Sequence, residues 1–156
     1  MDKKKFMQEA IKCSFDGMNS NAGGPFGAVI VKDGEIIARG WNKVTSTNDP
    51  TAHAEIVTIR EACKKLSTFD LSGCELYTSC EPCPMCLAAI YWSKIGKIYY
   101  GNTKKDAANI GFDDDFIYEE FALPIEKRSI PMEQLDREDS IKSFEKWAEK
   151  NDKIKY

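Results

Sequence analysis

Residues 75–101, ELYTSCEPCPMCLAAIYWSKIGKIYYG, decide the fold. Glu75–Ser79 has the β-branched and aromatic content of a short strand, and Lys97–Gly101 repeats that pattern. Between them, the apolar run Pro84–Trp92 predicts a helix, because proline is suited to the first helical position. Two strands joined by a helix form a right-handed crossover, so the segment predicts a parallel pair. Since the helix is apolar on nearly all sides, we expect it to be buried.

The first half of the chain predicts a hairpin and two further helices. Apolar residues at helical spacing predict helices over residues 3–18 and from His53 to about Leu66. Residues 26–31 and 35–42 have the composition of strands, and Lys32-Asp-Gly34 between them is typical of a tight hairpin turn. Joined to the parallel pair, the hairpin gives a mixed α/β sheet with helices on both faces. The residue patterns by themselves identify four strands.

Two short motifs supply metal-ligand chemistry, Thr51-Ala-His-Ala-Glu55 and Cys83-Pro-Met-Cys86. One imidazole and two thiolates suit a tetrahedral Zn²⁺ that keeps its fourth position open for water. Cys83 and Cys86 are three residues apart, so they share one face of a helix. His53 and Glu55 converge only in the first turn of a helix, so we expect two helix N-termini to face one metal. The motifs predict a catalytic zinc held by His53, Cys83 and Cys86, with Glu55 as the base.

Two other interpretations of the cysteines are open. If Cys80 joined the three predicted ligands, the metal would have a closed Cys₃His site, and the protein would be a zinc-stabilised binding module. Against this, a chain of 156 residues does not need a metal to fold, and a closed site leaves Glu55 without a role. A Cys-X-X-Cys redox motif likewise gives His53 and Glu55 no role.

The composition is that of a globular protein with little attraction for polyanions. The chain is 42% hydrophobic and 30% charged, and it carries a formal net charge of −3. This acidic balance argues against nucleic acid and anionic membranes as partners. No run has the length of a transmembrane helix, and MDKKKFMQEA at the N-terminus lacks the apolar core of a signal peptide. We therefore expect a cytoplasmic protein whose six cysteines are reduced.

The two motifs resemble the signature of the zinc-dependent nucleobase and nucleoside deaminases, His-Ala-Glu followed by Pro-Cys-X-X-Cys. The resemblance implies a three-layer α/β/α sandwich on a central mixed sheet of about five strands. It implies Zn²⁺ as cofactor, with His53, Cys83 and Cys86 as its ligands. Glu55 is then the proton shuttle for a zinc-bound hydroxide. Three substrates compete within the family: free guanine, cytosine or its nucleoside, and adenosine in a tRNA loop.

Segments outside the metal motifs resemble the bacterial guanine deaminases of this family. The likeness runs through residues 24–34, 48–55 and 77–92 and continues through residues 107–118. It implies hydrolysis of guanine to xanthine and ammonia, with a small purine base as the partner. Deamination of cytosine or a nucleoside, and of adenosine in tRNA, are the alternatives.

This resemblance also assigns five residues outside the ligand set to the substrate. Asn42 is implied to hydrogen-bond the purine edge, since its amide both donates and accepts. Phe26 and Trp92 are implied to be apolar or stacking walls. Asp114 is implied to accept from N–H groups of the base and to act as a second proton shuttle, and Tyr156 to close the mouth of the site.

The last third of the chain differs in composition from the rest. Residues 111–121 mix aromatic and acidic side chains and predict a short helix, and residues 138–150 predict an amphipathic one. Residues 129–132 predict a short extended segment. We expect residues 1–156 to form a single deaminase domain. The family resemblance implies a domain-swapped homodimer in which residues from about 112 onward pack on the partner, and Asp114 and Tyr156 serve the partner's site.

Overall fold

The computed structural model describes residues 2–156, and within them it contains one four-stranded sheet. The elements in chain order are α1 (Lys3–Asn19), β1 (Gly27–Lys32), β2 (Glu35–Trp41), α2 (Val44–Thr47), α3 (Ala54–Leu66), β3 (Cys74–Cys80), α4 (Pro84–Trp92), β4 (Lys97–Asn102), α5 (Lys104–Asn109), α6 (Asp115–Ala122), a 3₁₀ turn (Ile125–Lys127) and α7 (Arg137–Glu149). The strand order is β2-β1-β3-β4. Four strands are the number that the residue patterns identify, where the family resemblance implied about five.

The hairpin forms at the predicted turn. β1 and β2 pair antiparallel, and Lys32 lies opposite Glu35 at the end of the ladder. Asp33 and Gly34 between them both have positive φ, 51° and 82°. A two-residue turn with positive φ at both positions has the twist of the strands that it joins, and aspartate and glycine are residues that tolerate it. The local sequence therefore fixes the pairing next to the turn, and the register shifts by one residue between Val31 and Ile30.

The crossover also forms as predicted. β3 and β4 pair parallel, with Leu76 opposite Ile98, and α4 connects them. β1 pairs antiparallel with β3 on its other side, so the sheet is mixed. The first five residues of β1 are all buried, as expected for a strand with neighbours on both sides and helices on both faces.

Helices cover both faces of the sheet, which confirms the three-layer α/β/α architecture. On one face α1 packs against β1 and β3 through a cluster made of Phe6, Ala10, Cys13, Val29, Val31 and Tyr77. On the other face α3 and α4 enclose a cluster made of Ala28, Ile30, Ala38, Ala54, Ala62, Leu71, Cys74, Leu76 and Ile90. Alternate residues of each strand enter opposite clusters, as the pleat of a strand requires.

The burial of α4 differs from the prediction. Tyr91 and Trp92 at its C-terminal end are 77% and 69% exposed, so the expectation of a wholly buried helix is wrong for this chain. Apolar composition allows burial on every side, but only one side of α4 faces the sheet.

The short helices α2 and α5 were not predicted, and residues 129–132 form no strand. None of the helices in residues 2–156 is both long and apolar enough to cross a membrane.

The chain divides into two compact units. The first ends at Asp114 and contains the sheet with α1 to α5, and the second is Asp115–Tyr156. In the second unit α6, the 3₁₀ turn and α7 have no buried residue. Its exposed large apolar side chains are Phe116, Phe121, Leu123, Ile125, Ile130, Met132, Leu135, Phe144, Trp147, Ile154 and Tyr156. The second unit therefore has no apolar core of its own.

Candidate active site

Two helix N-termini meet at the site, as the motif spacing predicts. His53 is the N-cap of α3, and Cys83 is the N-cap of α4. Pro84 follows as the first residue of α4, where its missing N–H removes no helical hydrogen bond. The Cys83 sulfur accepts a hydrogen bond from the backbone N–H of Cys86 at 3.5 Å. The positive ends of both helix dipoles favour anionic ligands here.

Three ligand atoms converge between these helix starts. His53 Nδ1 lies 3.5 Å from Cys83 Sγ and 3.5 Å from Cys86 Sγ. All three atoms lie within 4.8 Å of one another. Tetrahedral zinc with ordinary Zn–N and Zn–S bonds sets an N···S edge of about 3.6 Å. The spacing of the donor atoms therefore fits a tetrahedral zinc.

The electrostatics of the cysteine pair favour one thiolate, at Cys83. A hydrogen bond from Cys86 and the adjacent His53 lower the pKa of Cys83 to about 4. The pKa of Cys86 is raised by its hydrogen bond to Cys83 and by burial. The pKa of His53 is raised by its hydrogen bond to Cys83. The two sulfurs thus share one proton, which a bound metal would displace.

Glu55 lies beside the ligand trio and is 5% exposed. It occupies the first turn of α3, and its Oε1 accepts a hydrogen bond from the Thr78 hydroxyl at 3.0 Å. Burial raises the pKa of this carboxyl group. A carboxyl group whose pKa is moved towards neutrality can both take and return a proton. The site thus combines a metal-ligand set with a buried acid–base group.

Cys80 stays outside the cluster. Its side chain is buried, and Sγ contacts the backbone oxygen of Thr103 at 3.7 Å. Burial raises the pKa of Cys80 to about 11, so it is a protonated thiol at neutral pH. Among the described residues, the ligand group with His53 contains two cysteines. This arrangement leaves a fourth metal position open.

Asn42 lies at the end of β2, where its side chain is almost completely buried. Its Oδ1 accepts from the backbone N–H of Val44 at 3.0 Å and from that of Gly24 at 3.4 Å. A Cβ on Gly23 would overlap the side-chain and backbone oxygens of Asn42, so only glycine fits there. Because the oxygen is engaged by backbone groups, the amide N–H₂ of Asn42 is the part available to a ligand.

An aromatic pair lies close to Gly24. Phe26 and Phe112 meet edge to face, with ring centroids 5.0 Å apart and an interplanar angle of 90°. A Cβ on Gly24 would come within 3.2 Å of both rings. Phe26 itself packs against the cluster beneath α3 and α4. The sequence patterns did not identify Phe112 as part of this wall.

The other three predicted site residues lie at separate places along the chain. Asp114 is half-buried at the end of the first unit, and its charge helps to raise the pKa of Cys80. It therefore belongs to the same unit as the metal-ligand residues of its own chain. Trp92 lies at the far end of α4, about 9 Å along the helix axis from Cys86. Tyr156 lies in the second unit and is 75% exposed.

The family that the sequence matches uses the same metal that the geometry of the ligand trio indicates. Residues 1–102 match the model of the cytidine and deoxycytidylate deaminase zinc-binding region. The chain belongs to this deaminase family. Zinc is thus the cofactor, as the ligand set predicts.

Two relatives within this deaminase family match different shares of the chain. Guanine deaminase from Bacillus subtilis is 50% identical over 156 residues, which is 100% of each chain. Its X-ray structure matches with a TM-score of 0.97, covering 100% of this chain and 99% of that one. A tRNA-specific adenosine deaminase from Aquifex aeolicus is 51% identical over 81 residues, 52% of this chain and 54% of that protein. Likeness to the tRNA enzyme is thus confined to about half of each protein.

Proposed function

We infer that the protein hydrolyses guanine to xanthine and ammonia. The observation that carries this inference is the full-length likeness, at 50% identity, to a guanine deaminase whose similarity extends beyond the metal motifs. The protein acts as a hydrolase on the carbon–nitrogen bond of a cyclic amidine. His53, Cys83 and Cys86 hold the zinc, in agreement with the spacing of their donor atoms.

The chain's own residues carry the proton transfers and the positioning. When bound, zinc supplies Lewis-acid activation of water. Glu55 takes a proton from the attacking water and returns it to the departing amine, which its burial beside the ligand trio supports. The amide N–H₂ of Asn42 donates to an acceptor on the base. Phe26 forms an apolar wall that excludes water, and Asp114 accepts from N–H groups of the base.

Cytosine or a nucleoside, and adenosine in tRNA, are the alternative substrates. The net charge of −3 gives little electrostatic attraction for RNA, whose phosphates require lysine and arginine. Likeness to a tRNA enzyme covers 52% of this chain, against 100% for the guanine enzyme. Both observations favour the free purine. The Cys₃His binding module is disfavoured by the position of Cys80 against Thr103.

We expect guanine to be the preferred substrate in a direct comparison. Ammonia release should be measured with guanine, cytosine, guanosine and an adenosine-containing tRNA, at equal enzyme and zinc concentrations. The expected order places guanine first by kcat/KM and the RNA adenosine last. A higher kcat/KM for cytosine would refute the proposed substrate while leaving the deaminase chemistry intact.

Two substitutions of Asn42 separate the acceptor role of its amide oxygen from the donor role of its N–H₂ group in this assay. Asn42→Asp keeps an oxygen that can accept from Val44 and Gly24, but it removes the N–H₂ donor. Asn42→Ala removes both. We expect the aspartate variant to fold and yet lose roughly ten- to hundredfold in kcat/KM for guanine, the effect of one unpaired polar group. Wild-type turnover in Asn42→Asp would show that the amide does not contact the base.

We further propose that the protein is a homodimer in which the second unit, Asp115–Tyr156, packs on the partner. A segment this short, with many exposed apolar side chains and no core, needs another surface to cover it. Exchange of identical segments covers these side chains and closes the assembly at two chains. The family resemblance implied an exchange from about 112 onward, with Asp114 and Tyr156 in the partner's site; the division of the chain after Asp114 supports a start at about 115, with Tyr156 covering the partner's site.

Mixed dimers test the exchange. Glu55→Gln and Tyr156→Ala chains, each expected to be weakly active alone, are unfolded together and refolded. With exchange, one site of each mixed dimer carries both substitutions and the other carries neither. We expect recovery to about a quarter of wild-type turnover, because about half of the dimers are mixed and each has one intact site. No recovery would mean that each chain supplies its own Tyr156, and full activity of Tyr156→Ala alone would contradict its role as a cover.

We place the protein in the cytoplasm. Each of the six cysteines is outside a disulfide in the structure, and three of them, Cys13, Cys74 and Cys80, are buried away from the metal-ligand group. Free thiols in this number are typical of a reducing compartment.

A further inference from the structure

Thr78 of β3 is a buried hydroxyl that neither the metal motifs nor the substrate assignments include. It is 1% exposed and points to the face of the sheet that α3 covers, because Leu76 and Thr78 lie on the same side of the strand. Its Oγ1 lies 3.0 Å from Glu55 Oε1 and 3.0 Å from the backbone oxygen of Cys80. One side chain therefore contacts both the carboxylate and the start of the cysteine loop.

The chemistry of these contacts gives Thr78 a specific task. A hydroxyl has one donor and two acceptor positions, whereas the Cys80 carbonyl oxygen only accepts. Thr78 can therefore donate to the Glu55 carboxylate oxygen, and the Cys80 carbonyl oxygen at the same distance holds the hydroxyl in place from the other side.

Few other side chains can hold Glu55 during turnover. Cys86, the other side chain close to the carboxylate, belongs to the metal-ligand trio. Thr78 is thus the described side chain outside that trio whose hydroxyl contacts Glu55.

We propose that Thr78 is a positioning residue for the reaction, which holds the Glu55 carboxylate at the orientation needed for proton transfer. This inference rests on the proposed function, since it assigns Thr78 to the deamination site. It concerns orientation of the base and not substrate binding, so its loss changes kcat and leaves KM nearly unaltered.

The test compares Thr78→Val with Thr78→Ser and with Thr58→Val. Valine has nearly the shape of threonine but lacks the hydroxyl, and serine keeps the hydroxyl. Thr58 is a matched control because it is 0% exposed and its hydroxyl donates to the backbone oxygens of Ala54 at 2.7 Å and Ala28 at 3.4 Å, and not to the Glu55 carboxylate. Kinetics with guanine, zinc content and thermal midpoint are measured for each variant.

We expect Thr78→Val to lose roughly ten- to hundredfold in kcat, the effect of one hydrogen bond to a charged group, with KM within about threefold of wild type. Zinc content should stay at the wild-type value. Thr78→Ser should recover most of the loss, and Thr58→Val should stay within about threefold in kcat. If Thr78→Val does not fold, Thr78→Ala compared with Thr78→Ser gives the same contrast.

Four outcomes would overturn the inference. A kcat near the wild-type value in Thr78→Val, or an equal loss in Thr58→Val, would show that the hydroxyl only contributes to packing. Loss of zinc from Thr78→Val would show that it acts through the cysteine loop. A wild-type protein that releases no ammonia from guanine would instead overturn the proposed function, and this inference with it.

Discussion

Replacing Glu55 with glutamine is expected to reduce kcat for guanine by 10² to 10⁴ or more, while zinc binding and folding persist. Glutamine keeps the shape of the side chain and can still hydrogen-bond Thr78, but it cannot take up and return a proton. Because Glu55 is buried beside the ligand trio, bulk water has little access to replace it as the base. Single-turnover and steady-state ammonia release would measure the loss.

Glu61→Gln is the matched control for this variant. Glu61 lies on the same helix, α3, but is exposed to solvent. The same change of charge there should leave kcat within about twofold of wild type, because surface substitutions away from a site have small effects. Turnover by Glu55→Gln within a few-fold of wild type would mean that the carboxylate only stabilises the N-terminus of α3.

The fold was predictable where local chemistry determines it. Asp33-Gly34 specifies the hairpin because these two residues tolerate positive φ. The apolar helix between two strands specifies the parallel crossover because such connections are right-handed. Cys83 and Cys86 were predictable as a pair because three residues bring side chains onto one face of a helix.

Other features depend on contacts that are distant in sequence. Thr78 contacts Glu55 across 23 positions, and the signal for it is a polar residue at an inward-facing position of a buried strand. Gly23 is required because Asn42, far along the chain, occupies the space of a Cβ. Neither contact leaves a periodic pattern. Both become visible only when the strands and the loop are placed in three dimensions.

The exposure of aromatic residues was the least predictable property. Composition alone made α4 a buried helix, yet Tyr91 and Trp92 at its end are exposed. The apolar side chains of the second unit are likewise exposed. Hydrophobicity indicates that a surface tends to be covered, but it does not say whether the cover comes from the same chain. The assignments of Trp92 and Tyr156 to the substrate pocket therefore stay predictions.

Replacing Cys83 with alanine is expected to remove the zinc and with it nearly all activity. Cys83 supplies one of three protein donors and also caps α4 through its sulfur. Mutating a residue that only hydrogen-bonds a metal ligand typically lowers metal affinity 10- to 100-fold. Removing a ligand itself should therefore lower zinc affinity by more than about 100-fold. Metal analysis after dialysis against a competing chelator, followed by ammonia release with and without added Zn²⁺, would measure both effects.

Cys80→Ala is the matched control, because it makes the same substitution three residues earlier in the same loop. Cys80 Sγ contacts the Thr103 backbone oxygen and lies outside the ligand group. We therefore expect this variant to keep about one zinc per chain, the content of a site with three protein ligands and an open position. If Cys80→Ala lost zinc as readily as Cys83→Ala, four protein ligands would close the site. Water would then have no position on the metal, and the protein would be a zinc-stabilised module with no deaminase activity.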